Sequence, residues 1–284
     1  MPKLGPVATI TQSVVLPSQG KSWQDASFDA NKEVHGMHVA LMIPCYIDSF
    51  YPQVGIATLE LLERLNIDVT YPVDQTCCGQ PMANSGCYNE ARGTEENFIR
   101  VFGDFEYIVT PSGSCTHHIR NKFTAALDSP ARQRVQSRTY DLVEFLHDIL
   151  KIQDFPWATF EKKVALHTSC SAIRGLNMAS MSERVHDAKF SKPRKLLEGV
   201  PGLQFVEFER FDECCGFGGT FSVTEEAVAA KMGYDKLAFM QKASPDYIVS
   251  SDTSCLMHLQ GCARRQKQNM PFLHIAEILN GVTL

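Results

Sequence analysis

Several common signatures are absent from this sequence of 284 residues. No apolar run approaches the roughly 20 residues that a transmembrane helix needs. The first residues lack the charged start and apolar run of a signal peptide. We therefore expect a cytoplasmic protein without a transmembrane segment. The formal net charge is -5 and no basic run is present, so nucleic acid is not an expected partner.

Nucleotide-binding loops are also missing. The chain has no Walker A loop and no flavin signature. Residues 216–219 (GFGG) approach the dinucleotide pattern G-x-G-x-x-G, but the third glycine would fall on Phe221. No Ser–His–Asp set can be singled out by spacing. The glycines are better explained by a close approach of the backbone to a neighbouring group.

Cysteine is abundant, with ten residues. Because no export signal is evident, we expect a reducing compartment, where cysteines indicate metal or redox chemistry rather than disulfides. Eight of the ten form two rows with similar spacing. The first row is Cys45, Cys77, Cys78 and Cys115, and the second is Cys170, Cys214, Cys215 and Cys255.

The residues around these cysteines repeat as well. HVALMIPC ends at Cys45 and KVALHTSC ends at Cys170, while YIVTPSGSC and YIVSSDTSC end at Cys115 and Cys255. Self-similarity of this kind identifies two copies of one unit. The predicted domains are an N-terminal extension at residues 1–36, a first cysteine-rich repeat at residues 37–150 and a second at residues 151–284.

Each copy alternates short β-rich runs, such as residues 107–110, with helical patterns, such as residues 55–65 (GIATLELLERL). This alternation predicts an α/β fold of tandem, pseudo-two-fold units, each a small parallel sheet flanked by helices. Segments 139–150 (TYDLVEFLHDIL) and 272–279 (FLHIAEIL) also show helical periodicity. Ligands of such sheets bind at the carboxyl ends of the strands, so the eight cysteines can gather at one edge, four to a site.

The two Cys-Cys-Gly triplets require a sharp turn. Neighbouring side chains of a strand point to opposite faces, so adjacent cysteines reach one object only if the backbone turns between them. Glycine permits such a turn, and the N–H groups of a following helix favour thiolates. A disulfide between neighbours is disfavoured by its geometry, and plain burial does not explain two matching copies. Thiolate ligation of a metal centre is the remaining interpretation.

Four sulfurs per site suit either zinc or an iron–sulfur cluster. Zinc ligands usually come in pairs two to four residues apart. Here the ligands are spread over a whole α/β unit, which favours a larger object with several metal atoms. An iron–sulfur cluster of the 4Fe–4S type, at most one per repeat, is therefore the expected cofactor, with zinc as the alternative.

The two Cys…Cys-Cys-Gly…Cys units resemble the cysteine-rich, or CCG, domain over about residues 37–284. That domain occurs in heterodisulfide reductases, in the iron–sulfur component of glycolate oxidase and in the lactate-utilisation protein A family. CCGQPMANSG, LHTSC, CCGFGGTFSV and SCLMHLQG are most similar to the last of these. The resemblance implies an iron–sulfur electron-transfer subunit of a cytosolic three-part complex that oxidises L-lactate to pyruvate, with the other subunits as its partners.

The sequence departs from the full family motif at one position in each repeat. The motif ends in Cys-x-x-Cys, but His118 and His258 stand at its last position here. Both are candidate ligands, since imidazole binds iron in some clusters, although an ordinary polar role in the first turn of a helix is the favoured interpretation. Loss of the fifth thiolate weighs against disulfide-reducing chemistry. A thiol–disulfide reductase subunit and a zinc-stabilised scaffold subunit remain alternatives to electron transfer.

Four further residues lie near these motifs without a partner in the repeat. His117 and His167 are expected to be packed or solvated histidines, and Cys87 and Cys262 free or partly buried thiols. No residue is an evident site for hydride abstraction from lactate. That step is therefore expected to belong to a partner or to another cofactor.

Overall fold

The structure is a computed structural model that describes residues 36–283. The predicted N-terminal extension, residues 1–36, lies outside the described residues except for Gly36. Two four-stranded sheets are present within the described range. Their strands are β1 His38–Leu41, β2 Asp68–Thr70, β3 Tyr107–Thr110, β4 Thr139–Asp141, β5 Lys163–His167, β6 Gln204–Phe205, β7 Tyr247–Ser250 and β8 Phe272–His274.

Helices connect these strands, and two of the connections contain a π-helical turn, at Phe145–Ile149 and at Ser171–Gly175. The α-helices between residues 36 and 283 are α1 Cys45–Phe50, α2 Pro52–Arg64, α3 Gln80–Asn84, α4 Tyr88–Phe102, α5 Gly113–Lys122, α6 Pro130–Arg138, α7 Leu142–Glu144, α8 Lys192–Leu197, α9 Phe221–Thr224, α10 Glu226–Lys242, α11 Thr253–Arg265 and α12 Ile275–Leu279. In this range no helix combines the length and the apolar character needed to span a membrane.

The two sheets have the same topology. Their strand orders are β2-β1-β3-β4 and β6-β5-β7-β8, and every neighbouring pair is parallel. Even the register is repeated, because Val39 lies opposite Tyr107 in the first sheet and Val164 lies opposite Tyr247 in the second. Parallel strands require crossover connections, which place helices on the sheet faces. The predicted fold of tandem α/β units is confirmed.

The two halves share one core. Alternate residues of a strand point to opposite faces, so Val39 and Leu41 of β1 pack into a cluster that also contains Val164 of β5 and Val249 of β7. Helices α2, α7, α8 and α12 contribute to this cluster and lie between the sheets, and residues 152–160 of the segment that joins the two repeats contribute as well. The outer face of each sheet has a smaller cluster of its own. The division at residues 37–150 and 151–284 stays a prediction, and neither half carries a separate main core.

Two segments differ from the helices that their periodicity predicts. Residues 139–141 and 272–274 are the edge strands β4 and β8, which pair with β3 and β7. The helix begins only afterwards, at a capping box formed by Asp141 with Glu144 in one case and His274 with Glu277 in the other. Pairing with a neighbouring strand outweighs the local helical periodicity over these three residues.

Candidate metal centre

The first four cysteines follow the carboxyl ends of strands in the first sheet. Cys45 begins α1 after β1, Cys77 and Cys78 lie in the loop between β2 and α3, and Cys115 lies in the first turn of α5 after β3. Their sulfurs form two close pairs. The Sγ atoms of Cys45 and Cys77 are 3.5 Å apart, as are those of Cys78 and Cys115.

The second four cysteines occupy the corresponding positions of the second sheet. Cys170 precedes the π-helical turn after β5, Cys214 and Cys215 lie between β6 and α9, and Cys255 lies in the first turn of α11 after β7. The Sγ atoms of Cys170 and Cys214 are 3.7 Å apart. All of these cysteines are free.

Both quartets open onto one cavity of about 180 Å³, lined by all eight cysteines. The rings of Tyr46 and Phe217 also line it and meet edge to face, with their centroids 5.5 Å apart. The sequence predicts four cysteines to a site, and in the structure the two sets of four face each other across one shared cavity. Eight free sulfurs around one cavity are a donor set that fits thiolate-ligated metal or iron–sulfur groups.

Glycine is required at the end of each Cys-Cys-Gly turn. Gly79 and Gly216 have φ angles of 86° and 95°, in the left-handed region. A Cβ atom at Gly216 would lie 2.6 Å from the carbonyl oxygen of Ala229. The amides after the turn donate to the sulfurs, since the Gly216 N–H lies 3.4 Å from Sγ of Cys214 and the Phe217 N–H lies 3.5 Å from Sγ of Cys215.

The helix expected after each glycine is present in only one repeat. Helix α3 starts directly after Gly79, whereas α9 starts at Phe221, beyond Gly218 and Gly219. The second turn has two further glycines with positive φ angles, 57° and 66°, which keep the chain out of a helix there. Two other cysteines do lie at helix N-termini: Cys115 is in the first turn of α5 and Cys255 is in the first turn of α11. The helix dipole there favours a thiolate.

In the pairs Cys45–Cys77 and Cys170–Cys214, the two thiols have shifted pKa values of opposite direction. A hydrogen bond from the Cys45 thiol lowers the pKa of Cys77, and the same contact raises the pKa of Cys45. The pairing of Cys170 with Cys214 has the same effect, lowering the pKa of Cys214 and raising that of Cys170. Each quartet therefore presents one favoured thiolate, and a bound metal would displace the remaining protons.

One carboxylate links the helix starts that carry Cys115 and Cys255. Asp252 is fully buried at the N-cap of α11, where its Oδ1 accepts from the N–H (3.2 Å) and the hydroxyl (2.6 Å) of Ser254. Its Oδ2 accepts from the N–H of Ser114, 2.8 Å away in the first turn of α5. Asp252 is not among the predicted site residues. The repeat gives no signal for it, because the equivalent position of the first copy, in TPSGSC, is Ser112.

The histidines of the two repeats have different surroundings. His118 is fully buried, packs edge-on against Phe123, and burial lowers its pKa to about 4. Nε2 of His258 lies 3.0 Å from the carbonyl oxygen of Ala229. His117 is hydrogen-bonded to Asn121 and is only partly buried. The structure therefore gives His258 a protein partner and leaves His118 close to the first quartet.

His167 lies beside two sulfurs of the second quartet. It ends β5 and is fully buried, and burial lowers its pKa to about 3. A ring nitrogen of His167 and the Sγ atoms of Cys215 and Cys255 all lie within 4.8 Å of one another. The sequence expectation of a packed or solvated histidine does not include this contact. Nothing in the repeat indicates it, since the equivalent residue of the first copy is Met42.

A buried cation lies on the same side of the molecule. Lys236 of α10 is fully buried, and its Nζ donates to the carbonyl oxygens of Phe211 (2.7 Å) and Arg210 (3.0 Å). Burial lowers the pKa of Lys236 to about 8. Nearby Cys214 and Cys215 act in the opposite direction and favour its charged form. The ammonium group therefore offsets part of the negative charge of the second quartet.

The two cysteines outside the repeat are not part of the cavity lining. Cys87 is exposed at the N-cap of α4. Cys262 is buried on α11, with its Sγ 3.8 Å from Nε2 of His258. Neither position brings its sulfur into the cavity that the other eight share.

Known proteins share the repeated cysteine motif of this chain. The family description of the cysteine-rich domain (CCG) matches residues 39–120 and 164–260, which include all eight repeated cysteines. Lactate utilization protein A of Bacillus licheniformis is 40% identical over 248 residues, 86% of this chain and 99% of that protein. The proteins of the same name from Geobacillus kaustophilus and Bacillus subtilis are 40% and 38% identical over the same length.

A solved structure supports the fold alone. The crystal structure of a hypothetical protein from Helicobacter pylori aligns with a TM-score of 0.54 at 8% identity. The alignment covers 86% of this chain and 48% of that one, so the chain spans about half the length of the solved protein.

Proposed function

Because the chain belongs to the cysteine-rich (CCG) domain family and to the lactate utilization protein A family, we propose that it is the iron–sulfur electron-transfer subunit of a complex that oxidises L-lactate to pyruvate. The name of the relatives supports the process, lactate utilisation. The shared cavity with its two cysteine quartets is the observation that supports the electron-transfer role.

In this proposal each quartet holds one iron–sulfur cluster of the 4Fe–4S type. Cys45, Cys77, Cys78 and Cys115 are the ligands in the first repeat, and Cys170, Cys214, Cys215 and Cys255 are the ligands in the second. A bound cluster supplies one-electron redox chemistry. The chain contributes the thiolates, a largely buried setting, amide donors to Cys214 and Cys215, and the positive charge of Lys236. Hydrogen bonds to sulfur and nearby charge are the factors by which proteins set cluster potentials.

The oxidation of lactate itself is assigned to partner subunits. The cavity is lined mainly by cysteines and small polar residues, and it offers no evident group for abstracting a hydride from lactate. The proposal also places the chain in the cytoplasm, a reducing compartment where ten free cysteines are stable.

A zinc-stabilised scaffold is the second candidate, and the sulfur separations favour it. Zinc–sulfur bonds of about 2.3 Å in tetrahedral geometry place ligand sulfurs about 3.8 Å apart. The observed pairs are 3.5 to 3.7 Å apart. The two candidates differ in one respect that can be measured directly, because only the iron–sulfur protein contains acid-labile sulfide.

The deciding experiment uses full-length protein purified without oxygen. Iron, zinc and acid-labile sulfide are quantified per chain, and visible spectra are recorded before and after dithionite. We expect a brown protein with several irons, matching sulfide and bleaching on reduction. L-Lactate should bleach it only when the partner subunits are present. A colourless protein that contains zinc and no sulfide would exclude the electron-transfer role and support the scaffold.

A further inference from the structure

His167 is a buried imidazole without a hydrogen-bond partner. Its side chain has no solvent exposure, and within residues 36–283 neither ring nitrogen has a partner. A buried polar group left without a partner costs about 1 to 3 kcal/mol, so such groups usually have a role that recovers this loss. Apolar packing against the sheet does not require an imidazole at this position.

The surroundings of His167 contain the missing partner. One ring nitrogen lies within 4.8 Å of the Sγ atoms of both Cys215 and Cys255, and those two sulfurs lie within 4.8 Å of each other. Three donor atoms this close can bind one metal atom, because zinc–nitrogen bonds of about 2.0 Å and zinc–sulfur bonds of about 2.3 Å place neighbouring ligand atoms less than 4.8 Å apart. Among the residues that the structure describes, this is the trio of histidine, cysteine or carboxylate ligands that meets the distance.

The first repeat provides the contrast. Met42 stands at the position equivalent to His167, is fully buried, and packs in the outer core of the first sheet. His258 replaces the last cysteine of the motif in the second repeat. It does not provide this imidazole ligand, because its Nε2 contacts the carbonyl oxygen of Ala229. An imidazole therefore approaches the second quartet from a strand end, at a position with no counterpart in the first repeat.

We propose that His167 is a metal ligand of the second centre, which thus combines thiolate and imidazole ligands, whereas the first centre has thiolate ligands. The inference rests on the proposed metal binding by the quartets, but not on the identity of the metal. His167 would add a neutral imidazole donor beside the four thiolates of the second quartet, and imidazole ligation accompanies a higher reduction potential in iron–sulfur proteins. The two centres would then differ in potential because of their ligands.

The first test needs no variant. Protein labelled with ¹⁵N-histidine is purified without oxygen, reduced with dithionite and studied by pulsed electron paramagnetic resonance, with unlabelled protein as the reference. We expect a strong nitrogen coupling that changes with the isotope. If iron and sulfide are present and no histidine nitrogen couples to the reduced centres, the inference is wrong while the proposed function stands.

The second test locates the nitrogen. His167→Met introduces the residue that the first repeat has at this position, so the packing volume is largely kept and only the donor nitrogen is lost. His118→Met is the matched control, because His118 is also fully buried near a quartet. We expect the histidine coupling to disappear in His167→Met and to persist in His118→Met. Coupling that survives in His167→Met, or that disappears only in His118→Met, would overturn the assignment.

The same variants remain informative if the metal is zinc. X-ray absorption at the zinc edge then counts nitrogen and sulfur neighbours in the wild-type protein and in both variants. A loss of nitrogen neighbours confined to His167→Met would support the ligand assignment even though the absence of sulfide has excluded electron transfer. An all-sulfur environment in the wild-type protein would overturn it.

Discussion

Gly216 shows how one residue determines the position of two sulfurs. Its left-handed φ angle of 95° turns the chain after Cys215, and its own N–H points to Cys214. The space beside it is filled, since a Cβ atom would lie 2.6 Å from the Ala229 carbonyl oxygen and 2.7 Å from Cβ of Met232. Glycine is therefore required here for both its conformational freedom and its size.

Gly216→Ala should destabilise the protein and reduce metal occupancy of the second centre. The left-handed conformation alone costs an alanine about 1 to 2 kcal/mol, and the contact with Ala229 should add a similar amount by forcing the backbone to shift. Gly86→Ala is the control, because Gly86 has a φ angle of 78° but open space around it. Chemical unfolding and metal content per chain measure both effects. Equal losses in the two variants would show that the close contact does not matter.

His167 and Asp252 mark the limit of what the sequence predicts at the residue scale. The repeated pattern identifies all eight cysteines that line the cavity, because the repeats carry them in matching places. It does not identify His167, whose counterpart is Met42. Nor does it identify Asp252, whose bond to Ser114 joins residues far apart in the chain. A comparison of the two repeats identifies the residues that they share, and it cannot identify functional residues at positions where they differ.

At the scale of elements, the sequence pattern predicts strands β3 and β7 and misses the edge strands β4 and β8. Strands β3 and β7 cover the residues that the repeated YIVT and YIVS indicate. Strands β4 and β8 have only three residues each and precede apolar helices, so the helical periodicity hides them. Their existence depends on pairing with β3 and β7, which is a tertiary interaction that local propensity does not contain.

The cap of α12 makes stability depend on pH. Nδ1 of His274 accepts the N–H of Ala276 at 3.1 Å, which requires an unprotonated nitrogen. Burial lowers the pKa of His274 from 6.5 to about 4. Between these values the unfolded chain binds more protons than the folded one, so stability is complete above about pH 6.5 and is lost as the pH falls towards 4.

His274→Asn should flatten this pH dependence. Asparagine is a good N-cap residue and does not titrate. From pH 8 to pH 5 the wild-type protein should lose about 2 kcal/mol more of its free energy of unfolding than the variant. Urea unfolding at both pH values measures the difference. The buried His118 and His167 are present in both proteins, so their contributions cancel. Parallel losses in the two proteins would rule out His274 as a source of the pH dependence.

For the whole molecule, the shared core and the shared cavity have one consequence. Helices α2, α7, α8 and α12 fill the space between the sheets, so the carboxyl ends of both sheets are held facing each other. Asp252 connects the two repeats beside the cavity, because it caps α11 in the second repeat and accepts a hydrogen bond from the start of α5 in the first. The quartets therefore form one unit rather than two separate sites.

We expect paramagnetic clusters in the two quartets to interact magnetically. If each quartet holds a cluster as proposed, the reduced wild-type protein should show a broadened or split electron paramagnetic resonance spectrum, because both quartets border one cavity of only about 180 Å³. Cys45→Ser should weaken binding in the first quartet and leave a simpler spectrum from the second. Cys87→Ser is the control, since that exposed cysteine does not line the cavity, and it should keep the wild-type spectrum. Two independent, unbroadened signals in the fully loaded wild-type protein would contradict a shared site.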